Sequence, residues 1–163
     1  MALDWRTAYF QQARSDYDVL LKLIGEQDVP ACHCLHYLQM TTEKLAKGFL
    51  TQPGGTRYPK THNAFAQFVK KVAQLNPDLQ SVCGFKDVRQ YVKYLEGLRD
   101  LAQRVEDLSP EGGDHPNPEY PWENPNGLII SPLVYAFSDL NPRQKAPKMI
   151  KFLEFIAACF KIA

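Results

Sequence analysis

Nowhere do the 163 residues hold an apolar run approaching the ~18–20 residues of a membrane span. The most apolar stretch, Met149 to Ala163, is interrupted by Lys151, Glu154 and Lys161, so no membrane partner is expected. Cysteine is sparse: Cys32, Cys34, Cys83 and Cys159 do not form the framework of a disulfide-stapled secreted domain. The opening Met1-Ala2-Leu3-Asp4-Trp5-Arg6 lacks the basic-then-apolar order of a signal peptide. A reducing, cytoplasmic setting is the expectation. An excess of one charge is missing too. Nineteen basic against eighteen acidic residues leave a net charge of +1, which excludes a histone-like or polybasic-anchor protein but not a local basic groove. Alternating strand runs joined by hairpin turns are absent, and so is any repeat at a ~20–50-residue period. The catalytic signatures Gly-x-Ser-x-Gly, Gly-x-Gly-x-x-Gly and the Walker pattern do not occur, nor do RNP, KH or zinc-finger motifs.

What is present is helical. Hydrophobic residues make up 45% and charged residues 23% of the chain, the composition of a globular protein rather than a disordered one. Its length suits one domain over residues 1–163. Trp5, Tyr9, Ala13, Tyr17, Leu20 and Ile24 recur every three or four residues and predict a helix from Leu3 to about Gln27. Asp28 is the candidate N-cap of a second helix over Val29–Thr51, with Pro30 in its first turn. Its apolar face is Ala31, Leu35, Leu38, Thr42, Leu45 and Phe49, and Pro53-Gly54-Gly55 stops it. Thr61 is the candidate N-cap of a third helix carrying Phe65, Phe68, Val69 and Val72, which ends near Asn76-Pro77. A fourth runs from about Lys86 to Leu108. Short connections between such helices predict an all-α, up-and-down bundle of four to five helices.

Residues 109–127 break the pattern. Four prolines fall within ten residues there, alongside Glu111, Asp114, Glu119, Glu123, Tyr120 and Trp122. No helix or central strand survives such a density of proline. Structureless segments of that length tend to be functional or disordered, and the two aromatics favour a loop pinned to the surface over a floppy one. Leu128 to Leu140 reads as strand at Leu128-Ile129-Ile130 and as helix after Pro132. The last helix starts near Ala146-Pro147. Met149, Ile150, Phe152, Leu153, Phe155, Ile156, Ala157 and Phe160 cover nearly its whole circumference. Such a helix is buried centrally or by a partner subunit, and a homodimer is one expectation.

Candidate chemistry begins on the second helix. His36, Gln39, Glu43 and Lys47 form a row beside its apolar face. Either they are a solvated face with a Glu43–Lys47 ion pair, or they line a groove between helices, where ligand sites of bundles lie. Cys32-His33-Cys34-x-His36 packs four zinc-ligand types into five residues, yet on a helix Cys34 points away from the others and the usual finger spacings are missing. No metal is expected. Pro53-Gly54-Gly55-Thr56-Arg57 reads as a turn with a nearby cation. Lys60, Lys70, Lys71 and Lys86 with Arg57 make one candidate basic patch, and Lys145, Lys148 and Lys151 another.

Several of these pieces together resemble the HEPN domain family. They are Trp5 in the opening helix; Ala31 through Lys47 with His36, Gln39-Met40-Thr41-Thr42-Glu43-Lys44 and Lys47; Thr61-His62 before an apolar helix; and Glu119-Tyr120-Pro121, with Glu where the family has Arg. The resemblance spans most of the chain. It implies a helical bundle, usually dimeric, that often accompanies a nucleotidyltransferase-type partner in toxin–antitoxin or defence systems. Some members are metal-independent ribonucleases using Arg-x(4–6)-His near the last helices, where histidine moves the ribose hydroxyl proton and arginine stabilises the phosphorane. Here the Arg-x(4)-His match is Arg57 to His62, between the second and third helices, and no histidine follows Arg143. The leading expectation is therefore a non-catalytic module without cofactor. It would bind a nucleotide, RNA or partner protein through His36, Gln39, Glu43 and Lys47, with Tyr120 and Trp122 to stack on a base or plug the groove. Two alternatives stand beside it: a divergent ribonuclease using Arg57 and His62, with His36 or His115 as other candidate bases, and an oligomerisation protein using the last helix through Phe155 and Phe160.

Overall fold

The computed structural model describes residues 3–111 and 114–163. Met1 and Ala2 of the opening segment, and Gly112 and Gly113 of the proline-rich loop, lie outside the described residues. The chain folds as an all-α bundle: α1 (Trp5–Gly25), α2 (Ala31–Leu50), α3 (Ala64–Gln67), α4 (Pro77–Val82), α5 (Val88–Glu106) and α6 (Pro147–Cys159). Two two-residue strands, β1 (Trp122–Glu123) and β2 (Ile129–Ile130), pair antiparallel as the sheet of the described residues. No helix among the described residues is long and apolar enough to cross a membrane.

Helix α1 begins where Asp4 accepts the Thr7 N–H at 2.8 Å, a side-chain N-cap. Ala13, Tyr17 and Leu20 face the core, and the five-residue connection that follows turns α2 back alongside it. Lys44 reaches Asp16 across this pair at 2.5 Å. The expected Asp28 cap is not used; Pro30 occupies the N-cap position without a side-chain bond. Instead Arg143 donates to the Gln27 and Val29 carbonyls, tying the α1–α2 connection to the segment before α6.

The third helix is irregular. α3 passes into a π-helical turn over Phe68–Val72 and a 3₁₀ turn over Ala73–Leu75, which keeps Phe65, Phe68, Val69 and Ala73 all inward. Asn76-Pro77, expected to end a helix, also starts one. The Asn76 side chain accepts the Leu79 N–H at 2.9 Å, and Pro77 occupies the first turn of α4. Nor does Thr61 cap α3. Its hydroxyl sits in a local turn with Asn63, and the cap comes from Glu106 on α5.

Helix α6 is buried on several sides by its own chain. Phe155 lies among Phe65, Phe68 and Tyr94, with ring centroids 6.2–6.3 Å apart. Phe160 packs on Tyr17, and Arg14 stands 4.0 Å over its ring. Lys148, Ile150, Lys151 and Glu154 face out. Of the two ways to bury an all-round apolar helix, this one uses the bundle interior.

The proline-rich segment is pinned, as its aromatics suggest, but by one of them. Trp122 is buried against Tyr135 at 5.0 Å and Phe137 at 6.4 Å. Buried Asn117 accepts the N–H groups of Glu119 and Tyr120 at 3.0 and 2.8 Å, folding Pro118 into a tight turn. The β1–β2 turn closes on Gly127 at φ +77°, which favours glycine. The helix expected after Pro132 is reduced to a turn and two short 3₁₀ helices, Ser138–Leu140 and Pro142–Gln144; Phe137 and Ser138 adopt φ of 47° and 44°, which an α-helix cannot carry.

Two glycines contrast. A Cβ on Gly48 would meet the Phe10 ring at 2.4 Å, so glycine lets α1 and α2 approach. Gly48→Ala should cost about 1–2 kcal/mol by overpacking, read from urea midpoints; an unchanged midpoint would show that Phe10 swings aside freely. Gly97 lies mid-way along α5, where glycine is ~1 kcal/mol worse than alanine. A Cβ there would meet nothing within 4 Å. Packing does not call for this glycine.

Candidate functional site

The polar row of α2 is sheltered. Gln39 is 3% exposed and Lys47 8% exposed. Glu43 joins them: its Oε2 accepts from Gln39 Nε2 at 3.1 Å, and its Oε1 from Lys47 Nζ at 2.5 Å. Helical spacing brings the three into line, and satisfied partners are what allow such polar groups to be buried.

Two distant segments close over this row. The turn before α3 places His62 Nδ1 3.5 Å from Glu43 Oε2, while its Nε2 is 2.7 Å from Glu111 Oε2. The proline-rich loop places Glu119 Oε1 3.4 Å from His36 Nδ1. Thr61-His62 and Glu119-Tyr120-Pro121 thus each touch α2, at Glu43 and at His36, two helical turns apart. Among the described residues neither His36 Nδ1 nor His62 Nδ1 completes a hydrogen bond. Buried polar atoms left so require a physical account.

Beside His62 opens a shallow cleft of about 560 Å³. Glu106, Asp107, Ser109, Glu111 and His115 line it with His62, and no lysine or arginine does. His115 Nε2 lies 2.8 Å from the Ser109 carbonyl oxygen. At the cleft floor Glu106 is 2% exposed. Its Oε1 accepts the Phe65 N–H at 2.5 Å and its Oε2 the Ala66 N–H at 3.1 Å, so α5 caps α3. Burial pushes its carboxyl up to about 7, and the charges of Glu43 and Asp107 push the same way, against the two N–H bonds.

The other sequence candidates fall elsewhere. Arg57 stands 5.4 Å over the Trp5 ring, and no hydrogen bond or ion pair links it to His62 among the described residues. The Pro53-Gly54-Gly55 turn is present, but its Gly54 N–H donates to Asp4 at 3.1 Å and so is engaged. Tyr120 is 60% exposed, whereas Trp122 is 5% exposed; the Trp122 ring is used inside the loop and presents no face for stacking. Cys34 Sγ meets Arg143, and His33 is exposed. Among the described residues no three His, Cys, Asp or Glu side chains are placed to hold a metal ion.

Glu106, Ser109 and Glu111 were not legible as site residues. One signal existed for Glu106: it follows Ala102 by four residues, in line with the apolar stripe of α5, where a charge needs a buried partner. Glu111 carries no such mark. No family model, curated protein or solved structure matches this chain.

Proposed function

We propose that the chain is a non-catalytic, HEPN-like binding module, acting within a toxin–antitoxin or defence system, and that its ligand is a basic segment of a partner protein. A nucleotidyltransferase-type protein is the candidate partner. One observation supports the reading: two motifs of the family resemblance, Thr61-His62 and Glu119-Tyr120-Pro121, each contact the α2 row, at Glu43 and at His36. The lining selects among ligands. The exposed carboxylates of Asp107 and Glu111, with no lysine or arginine in the lining, repel the phosphates of a nucleotide or RNA and attract arginine or lysine, while Glu106 is occupied in capping α3. Next to this loop, Leu128, Ile129, Leu133, Val134 and Tyr135 are exposed within eight residues, an apolar strip of the kind that protein partners cover. A homodimer, where one forms, would use the same strip.

Hexa-arginine peptide and ATP are the probes, followed by fluorescence anisotropy at low and moderate salt. The peptide should bind and ATP should leave the cleft empty. Asp107→Asn with Glu111→Gln should weaken the peptide at least fivefold without lowering the melting temperature. Peptide affinity that ignores both substitutions would sink the proposal. The ribonuclease reading differs sharply: metal-independent RNA cleavage, lost in His62→Ala, would replace this one.

A further inference from the structure

A second and larger cavity, of about 870 Å³, runs between α5 and α6. This is within the ~300–1,000 Å³ typical of small-molecule sites. Its floor is apolar: Tyr94, Gly97 and Leu98 from α5, Ala157 and Ala158 from α6, and Phe85 at one end. Phe85 and Tyr94 lie 5.0 Å apart, and the Tyr94 hydroxyl donates to the Lys151 carbonyl at 3.1 Å, which ties the two helices beneath the groove. Burial pushes the Cys83 thiol up to about 11, so at neutral pH it adds to the apolar wall.

The rim is cationic. Lys93, Lys148, Lys151 and Lys161 surround the groove, against a single carboxylate, Glu154. No ion pair involves any of these lysines among the described residues. Lys148 stands in the first turn of α6 and Lys161 just beyond its C-terminus, so lysines flank the strip at both ends. Gly97 supplies the independent observation. It weakens α5, no neighbour requires it, and its missing side chain leaves the middle of the floor open.

We propose that this groove binds a small amphipathic anion, an acyl or aryl body laid along the Tyr94–Gly97–Ala157 floor with its acid group held by the lysine rim. Charge complementarity chooses the anion, and the apolar floor chooses the body. A free phosphate has nothing to place on that floor, and an amphipathic cation meets four lysines. The site shares no lining residue with the cleft beneath the proline-rich loop, so either reading stands or falls without the other.

The test uses the full chain with 8-anilinonaphthalene-1-sulfonate as fluorescent probe and dodecanoate as competitor. The probe should bind one per chain and be displaced by dodecanoate but not by dodecyltrimethylammonium. Lys148→Glu with Lys151→Glu should weaken dodecanoate at least tenfold. Gly97→Ala should raise the melting temperature while weakening dodecanoate, and Gly97→Leu should abolish competition; a merely structural glycine would not separate stability from binding in this way. Failure of both compounds to bind overturns the proposal. So does dodecanoate affinity that survives the charge reversals or Gly97→Ala. An acidic amphipathic peptide that binds here where dodecanoate does not would also overturn it, making the groove a protein-docking surface.

Discussion

Glu106→Ala should lower the unfolding free energy by about 3 kcal/mol at neutral pH. The side chain accepts two N–H groups at the start of α3, and each buried donor left without a partner costs ~1–3 kcal/mol. Relief of the buried charge offsets part of that loss. Since Thr61 and Asn63 make no bond to these donors, the start of α3 has no second cap, and the loss should appear as a lower urea midpoint. A change under ~1 kcal/mol would mean that water takes over both N–H groups.

The same residue should give the fold a pH dependence of known sign. Its carboxyl titrates at about 7 in the folded protein against an ordinary 4.5, so between those values the native state holds a proton that the unfolded state has released. The stabilisation from this proton is therefore complete below about pH 4.5 and is lost as pH rises through 7, on the order of 3 kcal/mol in all. Glu106→Gln keeps the neutral shape at every pH. Urea unfolding of both proteins from pH 5 to 8 should show the wild-type advantage shrinking as pH rises. Parallel stability curves would show that Glu106 stays ionised throughout.

The fold was readable because its signals are local. The apolar stripes of α1, α2 and α5 recur at helical spacing, and proline or glycine marks the ends of α2 and the start of α6, so each segment announces its own state. The errors come where distant residues decide. Thr61 is a good cap by type, yet Glu106 takes the role from 41 residues away. Trp122 looks like a free ring until Tyr135 and Phe137 are folded onto it. The α2 row was legible as a row. Its charge environment was not, because Glu106 and Glu111 join it only through the approach of α5 and the loop. The basic groove lay half in view: Lys148 and Lys151 stood out as a patch, but Lys93 and Lys161 reach it by the packing of α5 beside α6.

Phe155→Asp separates a core helix from an interface helix, and its expected effect is the largest of all. If α6 served mainly as a seam between two copies, the substitution would halve the assembled mass and leave helical content intact. The structure places Phe155 at 0% exposure among Phe65, Phe68 and Tyr94. Removing such a ring costs ~3–5 kcal/mol, and a carboxylate in its place adds the penalty of burying an unpaired charge. The sum, above about 5 kcal/mol, reaches the whole stability of many domains. Circular dichroism should therefore show loss of helix at 25 °C, with aggregation or expansion in sedimentation velocity. Phe155→Leu, which keeps most of the volume, should lose no more than ~1.5 kcal/mol. Ile150→Asp, on the outward face of the same helix, should stay folded. A helical, half-mass Phe155→Asp protein would instead require α6 to leave its place in the bundle and pair with a second chain.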